Sequence, residues 1–259
     1  MIIDIHGHLG TIVQYPMYTA DGPTLDRWAV EAGVDLFCVS HSKSIFYDAH
    51  EGNLDLDRDI KKTEKLLGYV VVNPMFPDTI KDLSLLDSNR KFRGAKIHPD
   101  CHGYNLKLDA IQDFLGEVAE RVPLMLFHTS PPSGLSTAPE ILRFAKKHPK
   151  TNIVMAHMAG INSYPNYPNF PNFEALEAVK AAACENVYVD TACGMIYVPG
   201  VIERMVDLIG PDHSVYGTDV PMIRPRQMRF EIETIVSLGL PQESQDKILF
   251  GNSKRLLGL

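Results

Sequence analysis

Two histidines separated by one residue open the chain, in the stretch MIIDIHGHLG. Side chains alternate between the faces of a β-strand, so a strand here would place Asp4, His6 and His8 on one face and Ile3 and Ile5 on the other, packing outward. Two imidazoles in one buried place favour their neutral forms, and converging neutral imidazoles suit a divalent cation. The alternative is a pair of hydrogen-bonded core histidines, which we would prefer for a single histidine. The spacing therefore predicts half of a metal site.

Three further polar residues stand where later apolar runs end. His128 follows the run LMLF, His157 follows VMA, and Asp219 closes SVYGTD. Together with His6 and His8 they offer enough imidazole nitrogens and carboxylate oxygens for a divalent cation, with one further polar group beside it. For Asp219 the alternative role is a turn or a helix cap, which is common for an aspartate before a loop.

Eight short apolar runs recur along the chain and position these residues. Most are rich in β-branched or aromatic residues and end at a polar residue, Gly or Pro, which is typical of buried parallel strands. Stretches with helical spacing lie between them, for example 24–33, 57–68 and 109–122. The runs are IIDIHGH (2–8), DLFCVSH (35–41), LLGYVVVNP (66–74), FRGAKIHP (92–99), PLMLFHTS (123–130), NIVMAHMAG (152–160), NVYVDTAC (186–193) and SVYGTDVP (214–221).

Eight alternating strand–helix units predict an α/β fold, a single (β/α)8 TIM barrel that forms one domain over residues 1–259. An open doubly wound sheet is the alternative, but the sequence has neither a GxGxxG nor a P-loop motif. The carboxyl ends of barrel strands form the face on which active sites are built. Five of the ten histidines close predicted strands, so this fold gathers the candidate residues at one mouth.

Composition argues against several other classes of protein. The formal net charge is −7 and no basic run stands out, so nucleic acid is not an expected partner. No stretch approaches the roughly 18 consecutive apolar residues of a membrane helix, and no membrane partner is expected. The N-terminus does not have the pattern of a secretory signal, and the four cysteines include no CxxC pair. These features predict a cytoplasmic protein with reduced thiols.

The order of HxH, His128, His157 and Asp219 resembles that of the amidohydrolase superfamily of metal-dependent barrels. The runs GAKIHP, AHMAG and GTDVP and the closing GNSKRLLGL look like its amidohydrolase-related branch, which includes aminocarboxymuconate-semialdehyde decarboxylase and related decarboxylases and hydrolases. The resemblance extends from residue 2 to residue 259. HxH alone is a weak motif, whereas its order with the three later residues is specific.

The resemblance implies a role for each of these residues. His6, His8, His128 and Asp219 would bind one divalent cation, expected to be zinc, with manganese, iron or nickel as alternatives. Asp219 would also orient or deprotonate the attacking water. His157 would be an acid or a base beside the metal, whereas in two-metal members the corresponding residue binds the second ion.

Three more residues are candidates for substrate binding. Lys96 and His98 alternate onto one face of the fourth predicted strand. Two-metal members of the family often carry a carbamylated lysine there. We favour an unmodified Lys96 that binds a substrate carboxylate, with a buried ion pair as the alternative. His98 would contact the substrate or support a ligand. Arg224, just after GTDVP, would meet a substrate carboxylate, unless it caps a helix or forms a surface pair.

The function predicted from the sequence is that of a metal-dependent hydrolase, acting on a small carbonyl compound through a metal-activated water. Nonoxidative decarboxylation of a small carboxylic acid at the same site is the alternative. A catalytically silent barrel is a third interpretation, disfavoured because His157 and Asp219 are both present. Aromatic residues in the loops 9–23, 42–53 and 163–173 are candidates to line or cover the pocket, although ordinary loop packing is the preferred interpretation for any single one of them. The family suggests a homodimer.

Overall fold

The computed structural model describes residues 1–13, 15–160, 173–192 and 199–259. Most of the loop 163–173, predicted to line a pocket, lies outside the described residues, as does Cys193. Among the described residues, none of the helices is both long and apolar enough to span a bilayer.

Nine strands form one sheet in the described part of the chain. All eight predicted strands are confirmed, as β1 and β3 to β9, and β2 is a short addition that pairs antiparallel with β1. The strands are β1 (Ile3–Thr11), β2 (Thr19–Ala20), β3 (Leu36–His41), β4 (Leu66–Val71), β5 (Phe92–Ile97), β6 (Leu124–Phe127), β7 (Asn152–Met155), β8 (Val187–Asp190) and β9 (Ser214–Val215).

Helices follow most strands and cover the outside of the sheet. They are α1 (Gly22–Ala32), α2 (Ser42–Phe46), α3 (Ala49–Ile60), α4 (Leu85–Ser88), α5 (Pro99–His102), α6 (Asp109–Ala119), α7 (Ala138–Lys147), α8 (Ala156–Gly160), α9 (Glu174–Ala182), α10 (Val201–Ile209), α11 (Pro225–Val236), α12 (Gln242–Asp246) and α13 (Asn252–Leu256). Of these, α8 is a single left-handed turn.

The eight parallel strands form a (β/α)8 barrel, as predicted. Consecutive strands from β3 to β9 pair in chain order, and β1 pairs with β3. The segment after β9 returns to β1, since the Ile5 N–H donates to the Tyr216 carbonyl (3.0 Å) and the Asp219 N–H donates to the His6 carbonyl (2.8 Å). This closure places the end of the last strand beside the two histidines of the first.

β1 contains one extra residue relative to its partner β3, and this residue changes which side chains face the barrel interior. From Asp4 to Gly7 the pairing advances one residue further on β1 than on β3, where it runs from Phe37 to Val39. Such a bulge interrupts the alternation of faces. The N–H of His6, inside the bulge, donates to the Asp4 carboxylate at 3.1 Å.

The bulge overturns the prediction that Ile3 and Ile5 pack outward against the helices. Both are fully buried in a cluster formed mainly by strand residues, and this cluster is the barrel interior. The extra residue brings His6 to the same side as Ile5. Their main partners in the interior are Cys38, Leu67, Tyr69, Leu124, Leu126, Val154, Tyr188 and Val215.

A second apolar layer joins the outer faces of the strands to the helices. Phe37 and Phe127, for example, pack in one cluster with Leu25 of α1, Leu115 of α6 and Ile141 of α7. The predicted helix at 57–68 was misplaced, because α3 spans Ala49–Ile60. Asp48 starts α3 by accepting the N–H of Glu51 at 2.8 Å, and residues from Leu66 on belong to β4.

Candidate metal centre

The structure brings His6, His8 and Asp219 together at the carboxyl end of the barrel. Each offers one ligand atom, and these three atoms lie within 4.8 Å of one another. Asp219 Oδ1 is 2.9 Å from His8 Nε2 and 3.5 Å from His6 Nε2. All three residues are buried. Two imidazole nitrogens and a carboxylate oxygen form a donor set typical of zinc, manganese and iron sites.

The other ring nitrogen of each histidine contacts a residue of another strand. His6 Nδ1 is 2.8 Å from Asp190 Oδ2, and His8 Nδ1 is 3.0 Å from the Ser40 hydroxyl. Ligand histidines in metal sites almost always hydrogen-bond through the nitrogen that does not face the metal. With both Nδ1 atoms engaged in this way, both Nε2 atoms stay directed at Asp219.

Burial keeps the His6 imidazole neutral, and the neighbouring imidazoles keep the Asp219 carboxylate charged. Burial, with the charge of Lys96 as a smaller cause, holds the pKa of His6 well below its usual value. Burial by itself raises the pKa of Asp219, but the His8 hydrogen bond and the electrostatic interactions with His6, His8 and His157 outweigh it and bring this pKa below its usual range. Neutral nitrogens and an ionised oxygen are the forms that bind a cation.

Asp219 adopts a left-handed backbone, with φ of 62°. Aspartate tolerates this region better than most residues do. The Asp219 N–H donates to the His6 carbonyl, and the His8 N–H donates to the Val220 carbonyl at 2.6 Å. The backbone of β1 therefore fixes the carboxylate against the two imidazoles.

Lys96 is fully buried beside the centre, with Nζ 2.9 Å from His6 Nε2. Burial lowers the pKa of Lys96 to about 8, against the opposing charges of Asp219 and Asp190. The structure therefore brings this predicted residue to the metal centre, where its amine is close to one of the ligand nitrogens.

His157 lies on the left-handed turn α8. Its φ and ψ are 60° and 46°, and Met158 and Ala159 adopt the same region. Each such residue costs roughly 1–2 kcal/mol relative to a right-handed conformation, and strain of this kind is concentrated at functional sites. Burial lowers the pKa of His157 to about 4. Its Nδ1 is buried and has no hydrogen-bond partner among the described residues.

The rings of His128 and His98 lie next to the ring of His157, outside the group formed by His6, His8 and Asp219. His128 Nδ1 is 3.0 Å from His157 Nε2, and the rings of His98 and His128 stack with centroids 4.0 Å apart. The described geometry does not bring His128 into the group formed by His6, His8 and Asp219. Its role as a fourth ligand stays a prediction.

Arg224 lies elsewhere in the described structure. Its guanidinium donates to the Met17 carbonyl at 2.9 Å and lies 4.7 Å from the centre of the Trp28 ring. Its N–H donates to the Gln227 side chain at the start of α11. These contacts correspond to the helix cap that was the alternative role for Arg224, and none of them is with a residue of the metal centre.

Asp190 is the residue of the site that sequence reasoning missed. It is fully buried, and its carboxylate contacts His6 and the N–H of His157. Burial raises its pKa to about 6, although His157 acts in the opposite direction. The sequence contains a pattern that could have identified it, because Asp190 follows the apolar run NVYV just as Asp219 ends SVYGTD.

A cavity of about 740 Å³ lies among the segments that follow β3, β4 and β5, at the carboxyl end of the barrel strands. Its walls follow β3, β4 and β5, and the predicted loop 42–53 contributes residues 44–50. Phe46, Tyr47 and Phe76 give it an aromatic lining. Cys101 connects the cavity wall to the site, since its Sγ is 3.6 Å from His98 Nε2.

Comparison with known proteins identifies the family. The sequence profile of a family described as Amidohydrolase matches residues 51–259. Among curated proteins, none matches the chain significantly.

Solved structures with the same fold cover nearly the whole chain. A 2,6-dihydroxybenzoate decarboxylase from Rhizobium is 17% identical with a TM-score of 0.73, covering 99% of this chain and 98% of its own. A dihydroxybenzoic acid decarboxylase from Polaromonas sp., with bound manganese and the inhibitor 2-nitroresorcinol, is 17% identical with a TM-score of 0.73, covering 100% and 97%. An amidohydrolase from Burkholderia multivorans with bound zinc is 14% identical with a TM-score of 0.68, covering 100% and 99%.

Proposed function

Because the chain belongs to the amidohydrolase family, we propose that it is a metal-dependent enzyme with its centre at His6, His8 and Asp219, and that it acts as a nonoxidative carboxy-lyase on a small aromatic carboxylic acid. The observation that carries the metal-dependent chemistry is the convergence of two imidazoles and one carboxylate, with each imidazole fixed by a hydrogen-bond partner in the barrel. The carboxy-lyase assignment takes its support from the two decarboxylases of the same fold.

His6, His8 and Asp219 would hold one divalent cation, and His128 stays a candidate for a fourth ligand. The cation would supply Lewis acidity to a substrate oxygen. The bound manganese and zinc of two structural neighbours support a divalent ion without choosing its identity. We keep zinc as the first expectation and manganese, iron and nickel as alternatives.

The chain's own residues would bind the substrate and move the proton. A protonated Lys96, beside His6 Nε2, would pair with the substrate carboxylate, and His98 would contact the ring. His157 would deliver a proton to the ring carbon that bears the carboxylate. The bond between that carbon and the carboxylate then breaks, its electron pair restores the aromatic ring, and carbon dioxide leaves. The buried site excludes water from these steps.

Hydrolysis of a small carbonyl compound at the same centre is the second candidate. The family description and the zinc-containing structural neighbour support it. Here Asp219, whose pKa lies below its usual range, would accept the proton of the attacking water, and His157 would deliver a proton to the leaving group. The two candidates share the binding residues and differ in their products.

The first experiment measures metal content and product on the same preparation. Protein purified without chelator or affinity-tag metal is expected to contain about one ion per chain by elemental analysis. It is then incubated with carboxyl-labelled ¹³C-2,6-dihydroxybenzoate and related hydroxybenzoates, and separately with a panel of small amides, lactones and esters. Labelled carbon dioxide with the matching phenol supports the carboxy-lyase.

Other outcomes of this experiment contradict parts of the proposal. Turnover of only the amides, lactones or esters would replace the carboxy-lyase by the hydrolase. About two ions per chain would bring Lys96 and His157 into the ligand set and favour the hydrolase. A metal content near zero that added zinc or manganese could not raise would overturn the metal-dependent enzyme altogether.

A further inference from the structure

The carboxylate of Asp190 contacts two parts of the site at once. Its Oδ2 is 2.8 Å from His6 Nδ1. Its Oδ1 accepts the N–H of His157 at 2.7 Å and the N–H of Ala192 at 3.1 Å. The residue is fully buried at the end of β8, so water does not compete for these bonds.

Each oxygen has a separate consequence for the site. Because an ionised carboxylate only accepts hydrogen bonds, the contact with Oδ2 requires the hydrogen of neutral His6 to be on Nδ1. His6 Nε2 then carries the lone pair and faces Asp219. Oδ1 holds the first N–H of the left-handed turn α8, whose three consecutive non-glycine residues would otherwise favour another conformation.

We propose that Asp190 is a positioning residue that couples the two halves of the site: one carboxylate selects the tautomer of the ligand His6 and holds the left-handed turn that presents His157. The assignment rests on the proposed function for the roles of His6 and His157. The new element is that the roles of His6, on β1, and His157, on the turn after β7, depend on one side chain, that of Asp190.

Asp4 provides an internal comparison, because it has the same bonding pattern without the coupling. Its Oδ1 accepts two backbone N–H groups, from His6 and Thr218, both at 3.1 Å. Its Oδ2 accepts the Thr218 hydroxyl at 2.5 Å. It too is fully buried. The two residues differ in the group that donates to Oδ2, which is the Thr218 hydroxyl for Asp4 and His6 Nδ1 for Asp190. A hydroxyl can change from donor to acceptor at little cost. If the His6 ring becomes the acceptor, its lone pair lies on Nδ1 and no longer faces the metal.

The test replaces one carboxylate oxygen by an amide in each residue. In Asp190→Asn, Oδ1 can still accept the two backbone N–H groups, but the new NH2 group faces His6 and forces its hydrogen onto Nε2. We expect zinc affinity to fall about 10- to 100-fold, as is typical when the hydrogen-bond partner of a ligand histidine is lost. In Asp4→Asn, the Thr218 hydroxyl reverses, and zinc affinity stays within about threefold of the parent protein.

Three readouts separate positioning from simple stabilisation of the fold. Competition with a chromophoric chelator gives the zinc affinity, ¹⁵N shifts of the His6 ring in the zinc-free protein give its tautomer, and hydrogen exchange gives the protection of the His157 amide. Asp190→Asn should move the His6 hydrogen to Nε2 and keep the amide protected. Asp190→Ala should lower both zinc affinity and protection of the His157 amide.

Several results would overturn the coupling. Equal losses of zinc affinity in Asp190→Asn and Asp4→Asn would mean that both carboxylates only stabilise the barrel. A His6 hydrogen on Nε2 in the parent protein would contradict the assignment without any variant, which covers the case in which Asp190→Asn does not fold. If the parent protein binds no zinc, the proposed function fails, while the tautomer and exchange measurements still decide whether Asp190 acts on His6 and on the turn.

Discussion

His6 and His8 each have a hydrogen-bond partner on another strand, whereas His98, His128 and His157 are joined to one another by contacts between their rings. We call the first two the anchored pair and the other three the histidine row. In the anchored pair, Nδ1 meets Asp190 or Ser40 and Nε2 meets Asp219.

The histidine row is joined by contacts between rings. His128 is 3.0 Å from His157 and stacks on His98. One carboxylate beside the row, that of Asp100, is 3.8 Å from His128 Nε2 and also accepts the Ser130 hydroxyl. Burial lowers the pKa of all three histidines, so a proton that reaches one of them is held weakly.

We infer that the two groups have different chemical tasks at the carboxyl end of the barrel. Fixed tautomers and a shared carboxylate suit the binding of a cation. Neutral imidazoles in contact suit the transfer of protons and the binding of a flat substrate. The comparison predicts that substitutions in the two groups change different measured quantities.

The largest effect is expected for His8→Ala in the anchored pair. Loss of one of three clustered ligands should reduce bound metal to well below one ion per chain and reduce turnover at least about 10³-fold, since both proposed reactions require the metal. Elemental analysis and the product assay measure the two quantities. His148→Ala, at the end of α7, is the matched control and should retain both. A His8→Ala protein with full metal content would place the ligand set elsewhere.

A smaller effect, confined to the rate, is expected for His157→Gln in the histidine row. Removing a general acid or base typically lowers kcat by about 10²- to 10⁴-fold. Metal content should stay at the level of the parent protein, because the anchored pair and Asp219 are intact. Loss of the metal in this variant would instead assign His157 to the ligand set and erase the distinction between the two groups.

The smallest effect is expected on the acid stability of the metal-free protein. An unfolded histidine binds its proton below pH 6.5, whereas folded His157 does so only near pH 4. Between these values the unfolded state binds more protons, so the free energy of unfolding falls as the pH is lowered from 6.5 to 4. For His157 this loss is on the order of 3 kcal/mol, since one pKa unit corresponds to about 1.4 kcal/mol.

Denaturant unfolding of the metal-free protein at several pH values measures this slope. Asp190, which faces His157 and has a pKa raised to about 6, acts in the opposite direction because its folded state holds the proton longer. The quantity to compare is therefore the pH dependence of the free energy of unfolding in the parent protein and in His157→Gln. The contribution of Asp190 largely cancels in this difference. Equal slopes in the two proteins would mean that His157 titrates normally in the fold.

Much of the architecture could be read from local patterns. Eight apolar runs that end at polar residues gave the eight barrel strands, because burial on both faces demands continuous apolar sequence. The carboxyl ends of parallel strands meet on one side, so strand-end residues such as His6, His8 and Asp219 could be expected to converge. The start of α3 was missed because the cap Asp48 lies outside the periodic pattern that marked the helix.

What remained beyond the sequence depended on contacts between distant residues. Ile3 and Ile5 turned inward because the extra residue in β1 is defined only by pairing with β3. The contacts of Arg224 with Trp28 and the Met17 carbonyl join segments that are far apart in the sequence. Asp190 was overlooked because its partner His6 is 184 positions away.

The sequence by itself determined the strand order, the helices between strands and the residue types at the carboxyl end of the barrel. These features follow from the pattern of apolar and polar side chains over a few neighbouring residues. Only the tertiary structure decided which nitrogen of each imidazole faces Asp219 and how the left-handed turn holds His157. Tautomers and strained turns are set by single hydrogen bonds at about 3 Å, and their donors and acceptors become neighbours only when the barrel closes.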